Sequence, residues 1–231
     1  MSAQTTREAV AMAAPPDKRT LRREWTALIA GIIIALVAVS PPVDELVDQA
    51  FSAHMVQHMV MIVVVAPLLA IAWPLILSPW RTTRFVALLN LLARPAPALV
   101  LSLSTGALWF WHIPTLYGGA LENALVHTLQ HLIFIGGFVL FWRPLINDRL
   151  GGGHLQSNEL RVLYLSIGMV AHGLLGAYIT FSGELLYPHY ADTTPGGRTP
   201  LADQHLGGAI MWIVASLAMV AAALATLREE S

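Results

Sequence analysis

The sequence predicts an all-α protein, a bundle of about six membrane-spanning helices with both termini on the cytoplasmic side. Three observations predict it. The 231 residues are 56% hydrophobic and only 12% charged, with a mean hydropathy of +0.63, whereas a soluble domain carries roughly 25% charged residues. Six stretches approach the about 20 apolar residues that cross roughly 30 Å of hydrocarbon. Lys and Arg gather in alternate connections, as they do in loops that stay cytoplasmic during insertion.

Residues 1–23 read as a disordered cytoplasmic tail. They lack the apolar core and small-residue cleavage site of a secretory signal, and Pro15-Pro16 with the basic run Lys18, Arg19, Arg22 and Arg23 leads into the first span. That span, 24–41, is the weakest, because its uncharged run is short and Pro41-Pro42 ends it sharply. The second, 51–78, is long and has Pro67 and Pro74 as places to kink. Spans at 97–114, 121–143, 159–181 and 204–227 complete a single domain over 24–227, with a cytoplasmic tail at 228–231.

Orientation follows from the cations. Arg7 and the basic run precede the first span; Arg81, Arg84 and Arg94 lie between the second and third; Arg143, Arg149 and Arg161 flank the link from fourth to fifth; Arg228 follows the sixth. The first and third links have none, and Arg198 alone falls in the fifth. Trp25, Trp73, Trp80, Trp109, Trp111, Trp142 and Trp212 lie near proposed span ends, where indole rings favour the headgroup boundary. Gly151-Gly152-Gly153 and Pro195-Gly196-Gly197 mark turns in the fourth and fifth links.

The formal net charge of -1 offers no basic surface for nucleic acid. With no cysteine, disulfides and thiolate metal sites are excluded, so a metal would need His, Met, carboxylate or backbone oxygen. Nine histidines remain. His54-Met55-Val56-Gln57-His58 and His127-Thr128-Leu129-Gln130-His131 share the pattern H-x-x-Q-H, each shortly after the outer start of an inward-running span. Residues three and four apart share a helix face, so each span presents a paired-imidazole stripe at similar depth. His112 closes the third span on the outer side, His205 opens the sixth, His189 lies in the fifth loop and His172 sits deeper in the fifth span. Only His154 falls on the cytoplasmic side.

Ionisable groups within a membrane are costly unless they find partners in the bundle interior, which makes them functional candidates. The stripes point to a metal, haem or proton function, with Gln57 and Gln130 behind the imidazoles as groups that fix a tautomer. A single histidine such as His172 serves equally well as interhelical glue. Met61 falls on the His54/His58 face, where a thioether would suit Cu(I), although methionine there also reads as packing. Glu122 and Asp192 read as solvated loop charges, and Asp203 as the N-cap of the sixth span, compatible with a metal role for His205.

Longer motifs carry a resemblance: Phe51-Ser-Ala-His-Met-Val-Gln-His58 before an apolar run with Pro67, Trp111-His-Ile-Pro-Thr-Leu-Tyr117, His127-x-x-Gln-His131, Phe141-Trp-Arg-Pro144, Tyr187-Pro-x-Tyr190 and Asp203-Gln-x-x-Gly-Gly-x-x-Met-Trp212. In this order, over about residues 40 to 215, the chain resembles the polytopic CtaG-type cytochrome c oxidase assembly factors. The resemblance implies a multi-pass protein of the bacterial plasma (inner) membrane that helps mature a haem-copper oxidase, binding Cu(I) transiently on its periplasmic side. It implies oxidase subunits and a periplasmic copper donor as partners beside lipid. The family's outer-side histidines correspond to His54, His58, His112, His127 and His131. Many relatives have an extra N-terminal span, and the second stripe often reads H-x-x-E-H where this chain has Gln130, which weakens a charged or proton-carrying role at that position.

The residues themselves leave copper, haem and zinc open. A b-type haem between His58 and His131 is the alternative, followed by a metal or proton transporter using His172, and a scaffold for oxidase subunits without metal transfer. No nucleophile and base stand at convincing spacing, since Ser166 or Ser182 near His172 reads as packing, so no enzymatic activity is expected.

Overall fold

The structure is a computed structural model, and it describes residues 16–77, 97–146, 155 and 157–228. The described residues are helical and contain no strand. We number the helices α1 (Lys18–Ala38), α2 (Pro41–Gln49), α3 (Phe51–Leu77), α4 (Pro97–Trp111), α5 (Pro114–Glu122), α6 (Ala124–Trp142), α7 (Asn158–Thr180) and α8 (Pro200–Arg228). Four of them, α3, α6, α7 and α8, are long and apolar enough to cross a membrane, α6 together with the short 3₁₀ turn Arg143–Leu145 that follows it. The pairs α1/α2 and α4/α5 bend by 51° and 75°, and each counted as one span brings the total to six. Trp80, Arg81, Arg84, Arg94, Arg149, His154, Gly151-Gly152-Gly153 and the tail before Pro16 lie outside the described residues.

Three departures from the sequence reading have local causes. Lys18, Arg19, Arg22 and Arg23 belong to α1 rather than to a tail, because Asp17 caps that helix: its carboxylate accepts from the Thr20 N–H at 2.6 Å. The same bond holds the Asp17 carboxyl below the usual carboxylate range. Second, the first and third links are short helices, since Pro41-Pro42 and Pro114 fit the first turn of a helix, where a missing N–H costs nothing, and both pairs break just before those prolines. Third, Trp212 lies inside α8, not at its end, and packs against α7.

α3 is the axis of the bundle. Its first half packs on α8, its second half on α1 and α6, while α4 bridges α6 and α7. Within α3, Met61–Val65 is a π segment that precedes Pro67. The Ala66 N–H bonds to the Met61 carbonyl, so the Ile62 carbonyl loses its α-helical donor, and its π-helical donor would be Pro67, which has no N–H. The indole N–H of Trp142 takes that carbonyl at 3.0 Å. Two motifs far apart in sequence thus meet in one hydrogen bond.

α7 and α8 form the tightest pair. A Cβ at Gly176 would stand 2.7 Å from Trp212 Cβ, and one at Gly208 would stand 2.6 Å from Thr180 Oγ1. The two glycines let the helix backbones approach, the usual device where lipid removes the hydrophobic drive between helices. At the other end, Asn158 Nδ2 donates to the Thr226 carbonyl at 3.2 Å.

Candidate metal centre

Each histidine stripe is placed by a specific start signal. Asn123 caps α6, accepting from the N–H groups of Leu125 and Val126 at 3.0 and 3.3 Å, so His127 and His131 fall in the first two turns. The start of α3 is capped from another helix: Asp203 accepts from the Ser52 N–H at 3.0 Å and from the Ser52 hydroxyl at 2.6 Å. Asp203 therefore caps the second span, not the sixth, whose first turn is served by Thr199 Oγ1 accepting from the Ala202 N–H. Arg198 pairs with the same carboxylate at 3.1 Å.

These caps bring the stripes together. His54, His58, His127 and His131 each offer a ring nitrogen, and the four atoms lie within 4.8 Å of one another. His54 Nε2 is 2.9 Å from His58 Nε2 and 3.3 Å from His127 Nε2. Ligands at about 2.0 Å from a tetrahedral ion stand roughly 3.3 Å apart. The cluster has that scale. His54 and His58 are fully buried, and His131 is 7% exposed with its Nε2 unpartnered among the described residues.

A neutral imidazole has one N–H and one lone pair, so converging ring nitrogens satisfy few hydrogen bonds among themselves. A cation accepts every lone pair, and the donor set of four nitrogens suits copper or zinc.

The far nitrogen of His54 meets groups that stripe spacing did not reveal. Its Nδ1 lies 2.6 Å from the Tyr117 hydroxyl and 3.3 Å from that of Tyr190, and the two hydroxyls are 3.2 Å apart. With the proton on Nδ1 and donated to Tyr117, Nε2 turns its lone pair to the cluster. Tyr117 comes from α5, and Tyr190 from the loop after α7, whose Tyr187 stacks on Phe51 at 4.6 Å. Phe51 has room because Gly207, against its ring, lacks a side chain. Gln204 clamps that loop, accepting from the Leu186 N–H at 2.7 Å and donating to the Glu184 carbonyl at 3.1 Å. Burial raises the hydroxyls of Tyr187 and Tyr190 above the ordinary tyrosine range, so both stay phenols. Both stand in the motif Tyr187-Pro-x-Tyr190, and Tyr117 ends another, which is the signal that could have found them.

The remaining candidates divide. His112 Nδ1 donates to the Leu108 carbonyl at 2.7 Å, which leaves its buried Nε2 as a lone pair unpartnered among the described residues, with the ring 6.2 Å from that of His58. His112 borders the cluster without joining it. His205 spends its Nε2 on the Ser182 carbonyl at 2.8 Å and holds the loop instead. Met61 is fully buried one turn beyond His58, where the π segment begins. Gln57 does not back an imidazole; its amide donates to the Ala38 carbonyl at 2.8 Å and to Asp44 at 3.2 Å, tying α3 to the α1/α2 bend. Gln130 is fully buried, and among the described residues neither amide atom has a partner. His172 lies deeper, 5.2 Å from the ring of Phe138.

Residues 7–230 match the family of the cytochrome c oxidase caa3 assembly factor (CtaG). The chain belongs to this family. No curated protein and no solved structure matches it. The family is one of oxidase assembly factors, and in this member the histidine motifs shared by two spans converge on a group able to hold a metal ion.

Proposed function

We propose that this assembly factor binds copper, as cargo, at His54, His58, His127 and His131 and passes it to a cytochrome c oxidase subunit docked alongside. The observation that carries the reading is the convergence of four ring nitrogens within 4.8 Å in a chain of an oxidase assembly family. Imidazoles bind Cu(I) without thiolates, and ligand exchange at nitrogen leaves the ion transferable. His112, with its free lone pair at the edge, offers a stepping ligand. The protein is no enzyme in this reading, since the chemistry is exchange of ligands on an ion.

A b-type haem fits less well. A porphyrin lies between two axial imidazoles on opposite faces, whereas the rings of His58 and His131 already meet edge to face at 5.4 Å, with His54 against both.

The membrane is the bacterial plasma membrane in this proposal, with N- and C-termini in the cytoplasm, the cluster on the periplasmic side and a periplasmic protein as copper donor. The cysteine-free sequence makes the orientation simple to test. An Asp192→Cys variant in intact cells should react with a membrane-impermeant maleimide; labelling only after lysis would reverse the orientation.

Metal content and the absorption spectrum of detergent-purified protein test the function. Wild type should carry about one copper per chain and no Soret band, and His58→Ala/His131→Ala should lose both the copper and its support of oxidase assembly. Copper retained by the double variant would overturn the site, and full oxidase assembly in that variant would overturn delivery.

A further inference from the structure

Beside the four histidines lies a cavity of about 400 Å³ between α1 and α6. Ala35 and Leu36 of α1, Asp44 of α2, and His127, His131 and Leu132 of α6 are among its lining residues. Leu36 and Leu132 at its walls are more than half exposed on the flank of the bundle. The cavity therefore opens sideways, between two helices.

Its polar groups are few. Asp44 is half-buried, and one oxygen of its carboxylate accepts from Gln57 Nε2 at 3.2 Å, which fixes the side chain. Thr128 spends its hydroxyl on the Ala124 carbonyl at 2.8 Å. His131, 7% exposed, lines the cavity with an Nε2 that has no partner among the described residues. A half-buried carboxylate and an orphaned buried nitrogen lining one cavity describe a path for a cation. Aliphatic walls of low dielectric strengthen the pull of a single carboxylate.

We propose that this cavity is a lateral portal through which the metal ion reaches and leaves the cluster, with Asp44 as an outer transfer site that hands it to His127 and His131. The proposal rests on the copper reading above and assigns its route. Asp44 acts through charge, so it attracts Cu(I) and divalent ions alike, while selection is left to the imidazoles. Because the portal opens on the flank, exchange takes place with a partner beside the bundle.

Time-resolved loading separates the two readings: the plateau of bound copper reports the cluster, and the rate reports the portal. Cu(I) supplied from a weak chelator to full-length protein in detergent should load Asp44→Asn about tenfold more slowly than wild type, with a weaker dependence on salt. Ala35→Trp, which fills the portal from α1 and replaces no carboxylate or histidine, should slow loading similarly. Asp192→Asn removes the same charge from the exposed loop and should load at the wild-type rate. Wild-type rates in both Asp44→Asn and Ala35→Trp would overturn the portal while leaving the cluster intact. Equal slowing by Asp192→Asn would assign the effect to overall charge and overturn it too. A wild-type plateau of zero would fell the copper reading and the portal with it.

Discussion

The two H-x-x-Q-H turns are written alike and built differently. The first is held by several other elements: Asp203 caps it, Tyr117 and Tyr190 meet His54, and Gln57 Nε2 ties it to α1 and Asp44. His58 Nδ1 and Gln57 Oε1 have no partner among the described residues, and Gln57 borders a cavity of its own. The second is held by its own Asn123 cap and borders a cavity, with the nitrogen of His131 and both amide atoms of Gln130 unpartnered among the described residues. Identical spacing fixes which residues share a face; the neighbours that face meets fix what the residues do. The contrast suits a cargo site, one half an anchor and the other the side on which ligands exchange.

The contrast breaks most visibly at the imidazoles. His54 makes contacts to His58, His127 and Tyr117 at once, so His54→Ala should weaken copper binding by on the order of 100-fold, since a four-donor site stores roughly 10 kcal/mol or more across its ligands. His127→Ala, at the portal, should accelerate copper release more than it lowers the amount bound. Competitive titration with a chelator, followed by a chase, reads both numbers. Equal behaviour of the two variants would erase the anchor-and-exchange distinction.

The tyrosine comes next in size. Tyr117→Phe removes the 2.6 Å partner of His54 Nδ1 while keeping the ring packed on Phe51. Groups behind a ligand typically contribute 10- to 100-fold in metal affinity, and roughly tenfold is expected here because the Tyr190 hydroxyl remains 3.3 Å away. The double variant Tyr117→Phe/Tyr190→Phe should lose the rest. An unchanged affinity in the double variant would mean that His54 needs no orientation.

Much of this was legible in the sequence. Span positions, the end of the first span at Pro41-Pro42 and the shared face of His54 and His58 follow from hydropathy, proline and helical period, which are local. The cluster itself needs α3 and α6 to be neighbours, and no local signal encodes neighbour order. The glutamines show the limit most sharply: a Gln three residues after a histidine looks like its support, yet Gln57 reaches the Ala38 carbonyl 19 positions earlier. Asp203 likewise reads as the cap of its own helix and instead caps a helix 151 positions away. Side chains that act across helices announce themselves in sequence only as residues of a motif without a local task.

Those same glutamines give the smallest and most discriminating test. Gln57→Leu deletes two hydrogen bonds and leaves the Ala38 carbonyl without its donor at a buried position, so it should cost about 1–3 kcal/mol in detergent unfolding. Gln130→Leu removes a buried amide that pairs with nothing among the described residues, and replacing an unsatisfied polar group by an apolar one of similar size should be neutral or stabilising by up to about 1 kcal/mol. Bound copper in Gln130→Leu should match wild type, because among the described residues neither amide atom hydrogen-bonds to an imidazole. A loss of copper there, with stability unchanged, would show that Gln130 turns to the cluster when the ion is bound, and would make the second turn as firmly supported as the first.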